Sequence, residues 1–314
     1  MAATNKNNHD DDDEISKEGA GRHDLGRGIL YQYQGFWRSA VGIESLQYFQ
    51  QNFKDFDTDL ILATQPKSGS IWLKALALNQ LPLFKQLPPT PTAYYHSLLD
   101  FTKTSTTPDD HDSRLVATHV PYASLAESIK NPATNCKIVY LCRNPQETFI
   151  SLWMFMNKVR HAVNNNNNFL SIDEAFEFFC EGVSEFGPFW DHVLGYWKES
   201  SENPQKVLFL RYEDLKKEPN IQVKKLAEFM GYSFSAEEET HGVIEDILSL
   251  CSFENLKNLD VNKNGYWQNL IENKAFFKKG EVGDSKNYLT PMMVERIHRL
   301  TEEKMRGSGL VFEY

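Results

Sequence analysis

The chain has 314 residues, of which 41% are hydrophobic, and its formal net charge is −10. This length and composition suit one large α/β domain or two small ones, whereas the acidic charge argues against a broad nucleic-acid-binding surface. The four cysteines are scattered without metal-ligand spacing, which predicts reduced thiols in a cytosolic protein.

The N-terminal stretch 1–28 is rich in Asn, Asp and Gly and contains an acidic run over 10–14. Such a composition is typical of a disordered, solubilising tail. No apolar signal region and no run long enough to cross a bilayer are found, so we expect a cytoplasmic protein. The folded part is expected as one domain over 29–314.

The first predicted unit is a strand, a tight turn and a helix. An apolar run over 60–63 predicts a buried strand, and Gly69 permits the turn. From Ser70 onward apolar residues lie almost all round a helix, which predicts that this helix is buried. Backbone N–H groups and the positive end of the helix dipole then meet at one place, where a phosphate binds well. Lys67 adds a full positive charge, although an ordinary turn with an exposed lysine stays open.

Short apolar runs predict three more strands, and helical patterns separate or follow them. The strands cover 114–118, 137–142 and 206–210, and the helical segments follow residue 145, span 172–200 and span 220–230. A Pro- and Thr-rich stretch over 82–108 predicts a surface segment, and the Asn-rich run 164–168 predicts a loop. Strands that alternate with helices predict an α/β fold whose central parallel sheet is covered on both faces.

Polar residues follow the ends of all four predicted strands. Lys67, His119, Arg143 and the pair 211–212 occupy these positions. Because ligands of such sheets bind beyond the carboxyl ends of the strands, the coincidence favours one shared anion site. Each residue taken alone is more simply a loop residue.

The loop after the first strand carries a family resemblance. Pro66-Lys67-Ser68-Gly69-Ser70-Ile71-Trp72 resembles the Pro-Lys-Ser-Gly-Thr-Thr-Trp loop of the cytosolic sulfotransferases. In that family the loop holds the 5′-phosphosulfate of 3′-phosphoadenosine 5′-phosphosulfate (PAPS). The resemblance therefore implies a P-loop-like fold of the sulfotransferase type, with this loop binding PAPS. Plant members are most similar, because Tyr33-Gln34-Gly35-Phe36-Trp37 matches their entry segment.

The resemblance also implies which residues act on the reacting groups. Thr118-His119-Val120-Pro121 is similar to the family's Thr-His-Leu-Pro segment, in which the histidine is the general base. A histidine titrates near neutral pH, so His119 can take the proton of an attacking hydroxyl. Lys67 stabilises the charge that develops on the leaving phosphate, without a metal. The resemblance further implies that Ser68 holds this lysine away until acceptor binds.

A second group of residues is implied to hold the 3′-phosphate and the adenine. Arg143 and Ser151 lie in a segment similar to the family's Arg-Asn-Pro-x-Asp run, which grips the 3′-phosphate. Aromatic faces stack well on bases, and the candidate walls are Trp72, Tyr212 and Phe253. The run Lys278-Lys279-Gly280 resembles the Arg-Lys-Gly element that closes over the 3′-phosphate.

The sequence thus predicts a sulfotransferase that moves sulfuryl from PAPS to a hydroxyl of a small organic acceptor, releasing the bisphosphate PAP. Flavonoids, hormones and related plant metabolites are the implied acceptors. We expect no nucleic-acid or membrane partner, and we expect a monomer or weak homodimer. Two alternatives stay open: an ATP-dependent small-molecule kinase, and an inactive nucleotide-binding homologue. The second is favoured by the departures from the family pattern at Ile71, Ala117, Lys278 and Ser285.

Overall fold

A computed structural model describes the parts of the chain that carry the predicted strands. The described residues are 21–24, 29–55, 57–80, 114–164, 169–267, 270–277, 280 and 283–314. The predicted surface segment 82–108, Lys278, Lys279 and most of the predicted tail 1–28 lie outside them. Within that tail Arg22–Asp24 forms a strand.

The described chain begins with a small antiparallel sheet. Its strands are β1 (Arg22–Asp24), β2 (Ile29–Tyr33) and β3 (Phe36–Arg38), and helix α1 (Ala40–Asn52) follows. The side chain of Ser39 caps this helix by accepting from the Gly42 N–H.

A four-stranded parallel sheet forms the centre of the molecule. Its strands are β4 (Leu60–Thr64), β5 (Leu115–Thr118), β6 (Lys137–Cys142) and β7 (Val207–Arg211), arranged in the order β5-β4-β6-β7. In register, Leu60 lies between Leu115 and Lys137. Because the chain passes from β4 first to one neighbour and later to the other, a crevice opens at the carboxyl ends of the strands around β4.

Helices account for most of the remaining described chain. Between β4 and β7 they are α2 (Ser70–Gln80), α3 (Glu127–Lys130), α4 (Pro145–Asn164), α5 (Ile172–Cys180) and α6 (Phe189–Glu202). After β7 come α7 (Tyr212–Lys217), α8 (Pro219–Met230), α9 (Ala236–Thr240), α10 (Val243–Leu250), α11 (Phe253–Asn258), α12 (Asp260–Asn264), the hairpin strands β8 (Tyr266–Trp267) and β9 (Ile271–Glu272), and α13 (Pro291–Met305). No helix in the described ranges is long and apolar enough to cross a bilayer.

The segment predicted as helical over 172–200 is two helices rather than one. Gly182 has φ +84°, which leaves the helical path after α5, and Pro188 precedes the first residue of α6. Glycine adopts this left-handed conformation without a steric penalty, and proline is well tolerated at a helix start. The turn between the two helices carries residues that line the cavity described below.

Alternate residues of the central sheet feed two hydrophobic cores. Ile61 and Ile138 pack on one face with α4, α5, α6 and α13, whereas Leu62 and Val139 pack on the other with α2, α8 and α10. Helix α2 is buried almost all round, as its sequence predicts. The predicted fold class, a central parallel sheet flanked by helices, is therefore confirmed.

Candidate active site

A cavity of about 950 Å³ lies at the carboxyl ends of the central strands. Every strand of that sheet contributes to its wall through the residues that follow it or end it. The predicted site residues that line the cavity are Lys67, Gly69, Ser70, Ile71, Trp72, His119, Arg143, Ser151, Tyr212 and Gly280, and Phe253 lines it as well. Residues far apart in sequence are thus brought together around one space.

The loop between β4 and α2 presents backbone N–H groups to the cavity. The first bond of α2 runs from the Leu73 N–H to the Gly69 carbonyl at 3.0 Å, so the preceding N–H groups have no partner within the helix. Gly69 has φ +106°, and a Cβ built there would lie 2.9 Å from the Tyr212 ring. Glycine is therefore required both by the turn and by the close approach of Tyr212. Backbone shaped in this way suits a phosphate or sulfate group.

Lys67 lies in this loop with φ +70°, a conformation that is uncommon for a residue with a side chain. Its Nζ is 4.3 Å from the ring centroid of Phe155 and 5.3 Å from that of Phe276. Such cation–π contacts are worth about 0.5–2 kcal/mol. The contact of Lys67 with these two rings was not predicted, although Phe155 follows Ser151 by one turn of α4 and therefore shares its face.

Ser68 is placed differently from its neighbours in the loop. The residue is fully buried and does not line the cavity, and its N–H bonds to the Gln65 carbonyl at 3.2 Å. Its hydroxyl has no hydrogen bond partner among the described residues. The predicted contact that holds Lys67 away is therefore not made, and a direct role of Ser68 toward nucleotide stays a prediction.

His119 follows β5 and lines the cavity. Its Nδ1 lies 2.8 Å from the Thr64 carbonyl oxygen and 3.0 Å from the Thr64 hydroxyl. Because a carbonyl can only accept, Nδ1 carries the proton and Nε2 keeps its lone pair. Burial, followed by the positive charges of Lys74, Lys67 and Arg38, lowers the pKa of His119 to about 4, against the opposing bond to Thr64. The imidazole is therefore neutral at physiological pH, with a lone pair on Nε2.

A second buried histidine supports the backbone of His119. His192 Nε2 donates to the His119 carbonyl at 3.0 Å, and the Tyr140 hydroxyl lies 2.9 Å from His192 Nδ1. Burial lowers the pKa of His192 to about 3, so this ring is neutral as well. The neutral tautomer satisfies both partners, which fixes the position of the His119 main chain.

Arg143 directly follows β6 and lines the cavity. Its Nη2 donates to Glu147 at 2.9 Å, and its guanidinium carbon lies 4.5 Å from the centroid of the Tyr212 ring. The other oxygen of Glu147 accepts from the Ser285 N–H at 2.8 Å. Glu147 therefore orients the arginine and links it to the C-terminal segment.

The predicted adenine walls lie next to Arg143. The Trp72 and Tyr212 rings meet edge to face at 5.4 Å, and the Tyr212 hydroxyl donates to the Gly280 carbonyl at 3.3 Å. Phe253 packs against Gly280, where a Cβ would collide with the Phe253 ring. Arg211, predicted at the same sheet edge, instead pairs with Asp214 at 2.7 Å and does not line the cavity.

The other end of the cavity contains two charged residues and one aromatic residue that the sequence gave no reason to select. Arg38 ends β3, Glu185 and Phe186 lie in the turn between α5 and α6, and all three line the cavity. The Arg38 guanidinium carbon is 4.5 Å from the Phe186 ring centroid, and the His119 ring is 5.5 Å from the same ring. No sequence motif marks these positions, because the three residues become neighbours only when the chain folds.

The described residues contain no group of three or more His, Cys, Asp or Glu side chains that could hold a metal ion.

Comparisons with known proteins agree with this arrangement. The family model described as sulfotransferase domain matches residues 57–309. The chain is 44% identical to cytosolic sulfotransferase 13 of Arabidopsis thaliana over 90% of this chain and 88% of that protein. It is 43% identical to flavonol 4′-sulfotransferase of Flaveria chlorifolia over 92% of each chain.

A solved structure of the same family gives a similar result. The crystal structure of mouse sulfotransferase SULT7A1 complexed with PAP superposes with a TM-score of 0.68 at 28% identity, covering 89% of this chain and 95% of that one. The predicted enzyme class, a PAPS-dependent sulfotransferase, is confirmed. Both the sequence motifs and the shared fold thus lead to one conclusion: this chain belongs to the sulfotransferase family.

Proposed function

We propose that this protein transfers the sulfuryl group of PAPS to a hydroxyl of a small organic acceptor, with His119 as general base and Lys67 as the group that stabilises the leaving phosphate. The observation that carries the proposal is the bond from His119 Nδ1 to the Thr64 carbonyl at 2.8 Å. This bond leaves the Nε2 lone pair on a ring that lines the same cavity as the Lys67 loop.

The nucleotide end of the cavity suits a molecule with two separate anionic groups. The N–H groups at the start of α2, with Lys67 and Ser70, receive the 5′-phosphosulfate, and Ile71 contributes its backbone N–H. Arg143 and Ser151 receive the 3′-phosphate, for which Lys278, Lys279 and Gly280 are further proposed ligands. Trp72 and Tyr212 flank the adenine.

At the reacting centre the residues of the chain move one proton and stabilise one charge. His119 Nε2 takes the proton of the acceptor hydroxyl as its oxygen forms a bond to sulfur. The bond from sulfur to the bridging phosphate oxygen breaks, and Lys67 stabilises the charge left on that oxygen. To reach it, the amine leaves the faces of Phe155 and Phe276, where it lies 4.3 Å and 5.3 Å from the ring centroids.

Apolar side chains form much of the cavity wall outside the nucleotide end, which favours an apolar organic acceptor. This part of the wall includes Leu46, Phe49, Met156 and Val159. Together with the relative that acts on a flavonol, this favours a flavonoid, hormone or related plant metabolite as acceptor. The relatives named as cytosolic favour the cytosol as the compartment, and we expect a single domain over 29–314 that acts as a monomer or weak homodimer.

A transfer assay tests the proposal directly. Full-length protein is incubated with radiolabelled PAPS and a panel of flavonols, hydroxylated hormones and simple phenols, and sulfated products are separated and counted. Calorimetry with PAP and with ATP, each in the presence and absence of magnesium, runs in parallel.

We expect product with at least one acceptor, magnesium-independent binding of PAP and much weaker binding of ATP. Tight, magnesium-dependent binding of ATP would instead support the kinase alternative. Binding of PAP without transfer to any acceptor would support an inactive homologue.

A further inference from the structure

Arg38 is a buried cation at the acceptor end, and two of its three guanidinium nitrogens lack hydrogen bond partners among the described residues. Only 4% of the residue is exposed, and that part lines the cavity. Its Nε and Nη2 atoms are buried with no hydrogen bond partner among the described residues. A buried charge normally has a partner, because leaving its donors unsatisfied is costly. The partner of Arg38 is therefore expected to arrive with a ligand.

The nearest acidic group does not fill this role in the ligand-free chain. Glu185 lines the same end of the cavity and interacts electrostatically with Arg38, yet neither Nε nor Nη2 of the arginine bonds to it. Burial raises the pKa of Glu185 to about 7, against the opposing effects of Arg38 and of the Ser39 backbone. Glu185 can therefore take up a proton near neutral pH, whereas Arg38, with a pKa lowered by burial to about 10, stays charged.

Arg38 is also close to the proposed base. The Phe186 ring centroid lies 4.5 Å from the Arg38 guanidinium carbon and 5.5 Å from the His119 ring centroid. The two groups are therefore at most about 10 Å apart, the sum of these two distances. A single small molecule can reach both at once.

We propose that Arg38 forms an anion subsite at the acceptor end, and that the acceptor is a hydroxylated carboxylic acid whose carboxylate binds Arg38 while its hydroxyl faces His119. This inference rests on the proposed function. A carboxylate matches the planar donor edge of a guanidinium and neutralises its buried charge. Glu185 acts beside it as a group that must be protonated for the acid to bind well, because two carboxylates next to each other disfavour their ionised forms.

Matched acceptors test the subsite without any mutation. The probes are para-hydroxycinnamic acid, its methyl ester and its primary amide, which keep the same phenol but differ in charge. We expect kcat/KM for the acid to exceed that for the ester and the amide by about tenfold or more. Calorimetry of the acid and the ester with the PAP-bound protein gives the same comparison without turnover.

Substitutions then test which residue causes the preference for the acid over the ester. In Arg38→Met the ratio of acid to ester, in kcat/KM and in affinity, is expected to fall to about one, because methionine keeps the volume and removes the charge. In Glu185→Gln the acid is expected to bind as well as in the wild type or better. Arg299→Met replaces an exposed arginine of α13 and serves as the control, with an unchanged ratio.

The results separate this inference from the proposed function. A wild-type protein that sulfates or binds the ester as well as the acid overturns the subsite while leaving sulfuryl transfer intact. An equal loss with acid and ester in Arg38→Met also overturns it, because it indicates a structural role. If no probe is sulfated, preferential binding of the acid still supports the subsite, and equal or absent binding of the acid overturns it.

Discussion

The nucleotide end of the cavity is built largely from backbone and from residues next to strand ends, whereas the acceptor end is built from side chains of separate segments. At the first end, Gly69 and the start of α2 shape the loop, and Arg143 follows β6 directly. At the second end, Arg38 comes from β3 and Phe186 from the turn before α6. In the proposed function, local geometry therefore fixes where the donor binds, whereas tertiary packing determines the choice of acceptor.

The largest effect is expected from the residue where the two ends meet. His119→Ala should lower kcat by roughly 10²- to 10⁴-fold, because the attacking hydroxyl loses its base. The affinity for PAP, measured by calorimetry, should stay nearly unchanged.

His241→Ala, at an exposed histidine after α9, is the matched control and should keep full activity. Sulfation that survives in His119→Ala would show that the base is another group.

A substitution in the loop backbone tests how rigidly the nucleotide end is specified. Gly69→Ala should destabilise the fold by roughly 2–4 kcal/mol, because the new Cβ meets the Tyr212 ring at 2.9 Å and φ is +106°. PAP binding should weaken as well. The measurement is denaturant unfolding together with calorimetry.

Gly195→Ala provides the contrast within α6. Its Cβ would find only an ordinary contact, 3.5 Å from Tyr122, so a gain of about 0.5–1 kcal/mol in helix stability is expected. Equal losses at both glycines would contradict the special geometry of the loop.

Substitutions of Arg143 test whether the nucleotide and the acceptor bind independently at the two ends of the cavity. Arg143→Ala should weaken PAP binding roughly 10- to 100-fold while changing the acceptor KM little. Arg143→Lys should fall in between, because it keeps a charge near Glu147 but loses the planar fork.

Arg299→Ala, on the exposed side of α13, should leave both constants unchanged. A variant of Arg143 with normal affinity for PAP would refute the proposed contact with the 3′-phosphate.

The smallest effect concerns the pH dependence of the base. Only neutral His119 can accept the proton, and its pKa of about 4 places the acid limb of kcat/KM for PAPS, which reports the free enzyme, near pH 4. Bound nucleotide adds negative charge beside the imidazole and stabilises its protonated form, so the acid limb of kcat should lie at higher pH. Two profiles with the same limb near pH 6.5 would contradict the burial of this ring.

The sequence predicted much of the fold, and that residues after the strands would meet at one edge of the sheet, for a physical reason. Strands such as β4 are short apolar runs, and Lys67, His119 and Arg143 directly follow strand ends, so the sheet alone brings them together. The helical pattern over 172–200 did not reveal the break that places Glu185 at the cavity. The loop sequence did not reveal that Ser68 is buried or that Lys67 contacts Phe155 and Phe276. Both features depend on packing between distant elements.

Thr64, the last residue of β4, contacts both Ser70 and His119. Its hydroxyl lies 2.8 Å from the Ser70 hydroxyl and 3.0 Å from His119 Nδ1. His119, the proposed base, and Ser70 of the proposed donor-binding loop therefore both contact one residue of the central strand. Acceptor-facing walls can diverge among relatives without altering the alignment of the transferred group, which gives this architecture room to acquire new acceptors while its reaction stays the same.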